Sequence, residues 1–484
     1  MNKRICFLMM LLLAVILPDV SGQYSQSLYF MNLPQKNSLN PALRPTNRLY
    51  VGLPGVSGVT VNLDNNFLNF SDLFIDGVIS DSTLTFLKPG VHLDSFLAGL
   101  KDKNSIEPQV AVQLFGLGFS IGKDLWVAFD LTERVEGNFV LPGDLIKLGI
   151  KGNEAYTGQS VDLSSLRTDF KYYHEIGVGL SKNITDKLRV GVRGKLLFGV
   201  TAGYLDNNDF RLRVNDDYTH TLFADMSFNI SGPVNVYMNP DGQLDSLSID
   251  ESRFNTTEGI ISFLTNTGNP GMGFDAGVEY RITDRISVSA ALTDLGFIRW
   301  KTDRINLFTK TQFEFNGLTM QDVYNESLDF GELINWTLDS LQTAMYANEA
   351  SDPFTTYLSP GVTAAASYSL VKAFTFGVLS RTKFIGRQVR ESLTVSANMN
   401  LGNALSATCS YTAVNHRYDN LGAGIAFRGG WLQLYAIVDN IPVRWTTVNN
   451  GNDNFPMPED WNTLHARVGL NLSFGNKAKD KALN

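Results

Sequence analysis

Nine ionisable side chains recur at even spacing along strand-like stretches of the 484-residue chain: Arg189, Arg193 and Lys195; Glu279 and Arg281; Arg381 and Lys383; His465 and Arg467. Even spacing puts side chains on one side of an extended strand. Charges gathered on one face in this way do one of two things. Opposite charges pair across strands and hold the shape, or a cationic lining selects anions and carboxylate head groups among permeants. Catalytic and metal chemistry has a weaker basis. The five histidines are His92, His174, His220, His416 and His465, and His174-Glu175 lacks the second His of a helical zinc motif. There is no P-loop. Gly422-x-Gly424 lacks a third glycine and lies in a strand pattern. Asp206–Asp209 and Asn449–Asn454 hold oxygen ligands of the kind calcium favours, but without EF-hand spacing, so they read as solvated loops. The chain reads as a non-enzyme with no cofactor and no metal.

The elements that would position the nine residues show period-2 alternation. From Leu188 to Tyr204 the even positions are apolar or small, and the odd ones carry Arg189, Arg193 and Lys195. Leu393, Val395, Ala397, Met399 and Leu401 alternate with Thr394, Ser396, Asn398 and Asn400. Ala276, Val278, Tyr280 and Ile282 alternate with Gly277, Glu279, Arg281 and Thr283, and Leu464 to Phe474 is the cleanest case. A secreted sandwich also alternates, but with short strands and a buried core. These runs are long for soluble strands and place Arg, Lys, Glu and His on the polar face, which fits apolar residues toward lipid and polar ones toward a lumen. The fold expected is all-β: a transmembrane antiparallel up-and-down β-barrel of roughly 14–16 strands with a short N-terminal plug-like segment.

Composition agrees. Charged residues make up 18%, aromatics 11%, and glycines number 42. The net charge of -8 excludes a nucleic-acid partner. The mean hydropathy of -0.05 is far below that of a helical membrane protein. Lys3 and Arg4, the apolar run Ile5 to Leu17, Pro18 and the small residues before Gln23 read as a cleaved signal peptide over residues 1–22. Cys6 lies in that leader, so the mature chain keeps only Cys409. Export and a barrel together place the chain in the outer membrane of a Gram-negative cell, with outer-membrane lipid and the barrel-assembly machinery as partners.

Connection lengths divide the chain further. Tight turns are expected at 123–124, 185–186, 216–217, 283–284, 371–372, 402–403 and 429–430. Longer connections are expected at 141–159, 232–271, 299–353 and 441–461, with shorter ones near 205–207, 386–387 and 415–417. Short periplasmic turns alternating with external loops give this pattern. It holds if 299–353 is one large extracellular loop with its strand-like stretch 303–315 outside the wall. Residues 23–108 read as an N-terminal segment with a first strand region, Leu49 to Leu63, and helix-like stretches at 71–79 and 91–100; a further helix is expected at 331–345. Residues 109–474 form the barrel, and 475–484 form a polar periplasmic tail.

Asn40-Pro41-Ala42 resembles a motif near the mature N-terminus of the FadL-like outer-membrane barrels, a group that includes long-chain fatty-acid channels and the PorV-like proteins of type IX secretion. In that group the motif lies in or beside a segment entering the barrel. Leu28-Tyr29-Phe30-Met31, Tyr50-Val51-Gly52-Leu53-Pro54, Tyr173-x-Glu175-Ile176-Gly177 and Asp294-Leu295-Gly296-Phe297-Ile298-x-Trp300 resemble a related bacterial barrel family of unknown function. The resemblance implies a FadL-like channel for a small hydrophobic, amphipathic or anionic ligand. The alternative is a PorV-like scaffold with a secretion-system protein partner.

Overall fold

In soluble proteins polar residues face out and apolar ones face in. Along Gln388–Leu401 the reverse holds: Thr394, Ser396 and Asn398 are buried, while Leu393 and Val395 are exposed. Leu405–Val414 repeats this, with Ser406, Thr408, Ser410 and Thr412 buried and Tyr411 exposed. An exposed apolar face of this extent is stable when its solvent is lipid. The computed structural model describes residues 26–68, 93–316 (without 218 and 241–243), 346–347 and 352–475 (without 387, 415–416, 443–444, 450–453 and 459–462). No helix among them is long and apolar enough to cross a membrane; the strands do so instead.

Fourteen antiparallel strands form the wall. They are β1 (Leu49–Gly52 continued by Val59–Asn65), β2 (Lys103–Ile121), β3 (Leu125–Pro142), β4 (Arg167–Asn183), β5 (Leu188–Val214), β6 (Asn269–Arg281) and β7 (Ile286–Trp300). The circuit continues with β8 (Phe354–Tyr357 and Gly361–Val371), β9 (Phe374–Ile385), β10 (Gln388–Leu401), β11 (Leu405–Val414), β12 (Arg417–Gly429), β13 (Leu432–Ile441) and β14 (Thr463–Phe474). Each pairs with its sequence neighbour, and β14 closes on β1 with Leu49 opposite Phe474 and Val59 opposite Val468. Closure leaves no open edge in the wall, the condition for a sheet in lipid. Six tight connections, at 122–124, 184–187, 282–285, 372–373, 402–404 and 430–431, lie at one end of the barrel, the turn end. The long ones lie at the loop end.

Two expected turns are not where the sequence put them. No turn occurs at 205–207, because β5 runs unbroken for 27 residues to Val214. Asp216-Asp217 lies at its far tip, on the loop side, and Thr219–Ser231 returns along it outside the wall. The two wall strands expected there are therefore an extension above the barrel, and the count is 14. The physical cause is a bulge opposite Tyr172/Tyr173 that moves β5 out of step near Val200. A bulge swaps the two faces of a strand. Below it the odd residues of β5 are buried; above it Ala202, Leu205 and Asn207 are buried and, past a second register shift between Asn207 and Asp209, so are Phe210, Leu212 and Val214.

Above the bulge Phe210 and Leu212 share a conventional core with Leu222, Met226, Leu307 and Val161. Arg304–Asn316 adds a further strand beside Thr219–Ser231, outside the wall as the sequence implied. A helix, Gly143–Lys151, occupies the β3–β4 connection. A hairpin (Val234–Met238 with Leu244–Ile249) and a helix (Thr257–Leu264) occupy the β5–β6 connection. The helix expected near 91–100 is Leu93–Gly99. The leader, the stretches 71–79 and 331–345, and the tail 476–484 lie outside the described residues.

Candidate functional site

The chain from Gln26 to Arg48 lies inside the barrel. Leu28, Met31 and Leu33 are fully buried against Ala426, Tyr435 and Ile437, and Tyr29 and Leu43 pack on Ala365 and Leu379. Polar contacts fix it to many strands. Ser27 donates from its N–H to Asp439 at 3.2 Å, and its hydroxyl also bonds that carboxylate. Gln35 and Asn471 exchange amide hydrogen bonds at 2.8 and 3.1 Å. The Gln433 side chain donates to Asn32 O at 3.2 Å, and Thr46 donates to Asn403 at 2.6 Å. Asn403, Asn471 and Ser473 belong to the turn end, so the segment corks that end.

Asn40, Pro41 and Ala42 form its tightest turn. Asn40 Oδ1 accepts from the Ala42 N–H at 2.9 Å, an Asx turn. Asn40 Nδ2 donates to Tyr29 OH at 3.0 Å, and Ser181 donates to Ala42 O at 3.1 Å. The wall makes room with two glycines. A Cβ on Gly191 would stand 2.2 Å from Pro41 C, and one on Gly277 would stand 2.0 Å from Asn40 Oδ1. No other residue type fits either position with the segment in place.

Around the segment the luminal charges pair. Arg193 binds Asp130 at 2.6 Å and Glu175 at 2.7 Å; Glu175 also binds Arg134 at 2.9 Å. Lys195 bridges Asp275 at 2.7 Å and Asp294 at 2.6 Å, while Arg189 binds Glu279 at 2.7 Å. His465 lies 3.1 Å from Asp64, and Arg390 pairs with Glu107. Asp294 reaches this cluster from a left-handed backbone (φ 59°) and donates its N–H to Asp275 at 2.7 Å. Of the two roles open to these charges in the sequence, pairing is what the structure shows for Arg189, Arg193, Lys195, Glu279 and His465. A uniformly cationic lining is not present. Parity reasoning missed Asp130, Glu175, Asp275 and Asp294, which neutralise it.

Between the 3-10 turn Pro34–Ser38 and the wall lies a cavity of about 130 Å³. Arg381, Lys383 and Arg467 border it, with Tyr50, Gln109 and Gln113 among the other lining residues. The described lining is chiefly hydroxyl, amide and charge. Arg281 is buried in β6 and does not line it. Among the described residues no cluster of His, Cys, Asp or Glu could hold a metal.

A family model described as a family of unknown function, DUF5723, matches residues 41–439, so the chain belongs to that family. No curated protein matches it. Among solved structures, the toluene transporter TbuX of Ralstonia pickettii is 9% identical, with 92% of this chain and 94% of that one covered and a TM-score of 0.40. A FadL homologue of Pseudomonas aeruginosa is 10% identical over 95% and 100% of the two chains, with a TM-score of 0.43. The Pseudomonas putida toluene transporter TodX is 9% identical over 95% and 96%, with a TM-score of 0.37. At these values the barrel rests on its own hydrogen-bonded circuit. The secretion-system half of the resemblance gains no support from these neighbours.

Proposed function

We propose that this member of the family is an outer-membrane channel for a small polar solute bearing an anionic group, closed at its turn end by residues 26–48. The observation that carries the reading is the polar cavity between that segment and the wall, bordered by the cations Arg134, Arg193, Arg381, Lys383 and Arg467 against the two carboxylates Asp130 and Asp294. A lining of charge, amide and hydroxyl replaces the hydration of a polar solute; it would leave an apolar one poorly matched. The solute class therefore narrows from the amphipathic or hydrophobic molecule that the resemblance implied. With short turns on the periplasmic side, the segment closes the inner mouth, and transport requires it to shift.

Planar-bilayer conductance tests this. The mature chain should conduct weakly, and a variant lacking 23–48 should open large steps with an anion-selective reversal potential. Gly277→Val is the second variant, because it clashes with Asn40 while leaving the wall sequence otherwise intact. Both are first checked for a folded barrel by faster gel migration without boiling. Arg381→Gln, Lys383→Gln and Arg467→Gln together should reduce the anion preference of the opened channel. Folded variants that conduct no better than the parent would overturn the reading.

A further inference from the structure

The helix Thr257–Leu264 carries Ile260, Ile261, Phe263 and Leu264 and buries none of them. Thr256 caps it, accepting from the Gly259 N–H at 3.0 Å, and Phe254 packs edge-on against Phe263 at 5.3 Å between centroids. Those are its local supports. A short helix in water takes most of its stability from burying an apolar face, and among the described residues none buries this face. The adjoining hairpin behaves alike: Tyr237 and Ile249 are 50% and 65% exposed. Its Val234 and Val236 pack against the core of the extension, and an open pocket separates Leu247 and Ile249 from Phe170, Gly203 and Phe228. The patch therefore looks away from the barrel axis.

Its height follows from strand length. A tilted strand crosses the hydrocarbon in about 9–11 residues. Counted from Leu188 at the turn end, the crossing ends near Phe198, whose ladder partner is Pro270. The helix stops at Leu264, one short loop before that level. On β6 the exposed Met272 and Phe274 then continue the apolar surface down the wall. Arg253, at the base of the helix, is held by Asp303 at 2.9 and 2.7 Å, which fixes the patch to the rim.

We propose that this helix and hairpin form an interfacial skirt seated in the outer leaflet, with their exposed apolar side chains at the boundary between head groups and acyl chains. Lipid is the occupant because the patch runs on from the lipid-facing band of the wall and overhangs it.

The test uses nitroxide labels on the full mature chain in phosphatidylcholine vesicles, in a Cys409→Ser background. Ile261→Cys is compared with Leu196→Cys, in the lipid-facing band, and Asp216→Cys, at the tip of the extension. The expected result is high oxygen and low nickel-chelate accessibility at 261, grouping with 196. Ile249→Cys should give the same. Nickel accessibility matching 216 would overturn the proposal. So would exclusion of both reagents, whether with spin–spin broadening that fades on dilution with unlabelled protein, which marks a second copy, or without it, which marks cover by the chain itself.

Discussion

β5 passes through two regions built on opposite rules. In the wall its apolar residues Val192 and Leu196 are open, and its charges Arg193 and Lys195 are buried. Above the bulge Phe210, Leu212 and Val214 are buried, while Arg211 and Arg213 are open. One strand thus serves a lipid solvent and then an aqueous one, with register shifts near Val200 and Asn208 between the two regions. Side-chain polarity alone does not say which face is inside; the solvent on each side does.

The largest effect should come from breaking the wall's polar interior. Glu175→Gln strips Arg134 and Arg193 of a carboxylate that is fully buried. Urea unfolding from vesicles should show a loss of about 5 kcal/mol, the high end for a broken buried pair because two arginines lose their partner. The next pair sharpens the contrast between regions. Leu212→Ala should cost the extension about 2–5 kcal/mol by opening a cavity, seen as faster proteolysis there with the barrel's gel shift unchanged. Val192→Arg, on the lipid face, should instead cost the barrel about 2–4 kcal/mol and leave the extension's own protease resistance unchanged in molecules that still fold. If either substitution acts equally on both regions, the division at the bulge is wrong.

The smallest effect concerns pH. His220 is buried in the extension beside Asn153, and burial pushes its imidazole below its ordinary value. Its folded form thus resists protonation. The extension should keep full stability above about pH 6.5 and lose some as pH falls from there toward the lowered folded value. Protection factors along 219–231, taken relative to the intrinsic exchange rate at each pH, should fall between about pH 7.5 and 5.5, and His220→Gln should abolish that fall. No pH response in the parent would place this imidazole in a more hydrated setting than the geometry gives.

Much of the wall was legible because lipid and lumen impose two strict environments on alternate residues. Gln388–Leu401 and Thr463–Phe474 therefore read directly from parity. Asn40-Pro41-Ala42 was legible as a motif, although only the structure puts Gly191 and Gly277 against it. Parity failed where the backbone leaves the regular ladder. Asp206-Asn207-Asn208-Asp209 looks like a turn but sits within β5, since the neighbouring strand Thr219–Ser231 satisfies its backbone. Asp294 reaches Lys195 only through a left-handed residue that alternation cannot foresee. Asp130 and Glu175 come from β3 and β4 and meet Arg193 only once the wall is assembled. The apolar run Ile260-Ile261-Ser262-Phe263-Leu264 inside an expected loop was the available sign of the exposed helix.

The cork also bears on how the molecule is put together. Ser27 meets Asp439 across 412 positions of sequence, and Gln35 meets Asn471 across 436. The strand that follows the cork, β1, makes the seam with the final strand, β14. A chain delivered from its N-terminus can form that seam only when its end has arrived, and contacts so remote in sequence are slow to form. Residues 26–48 must wait beside an unfinished ring, held by glycine-lined strands such as β5 and β6, until the wall shuts around them. The barrel is assembled about its own beginning, with the stopper in place before there is a bottle to seal.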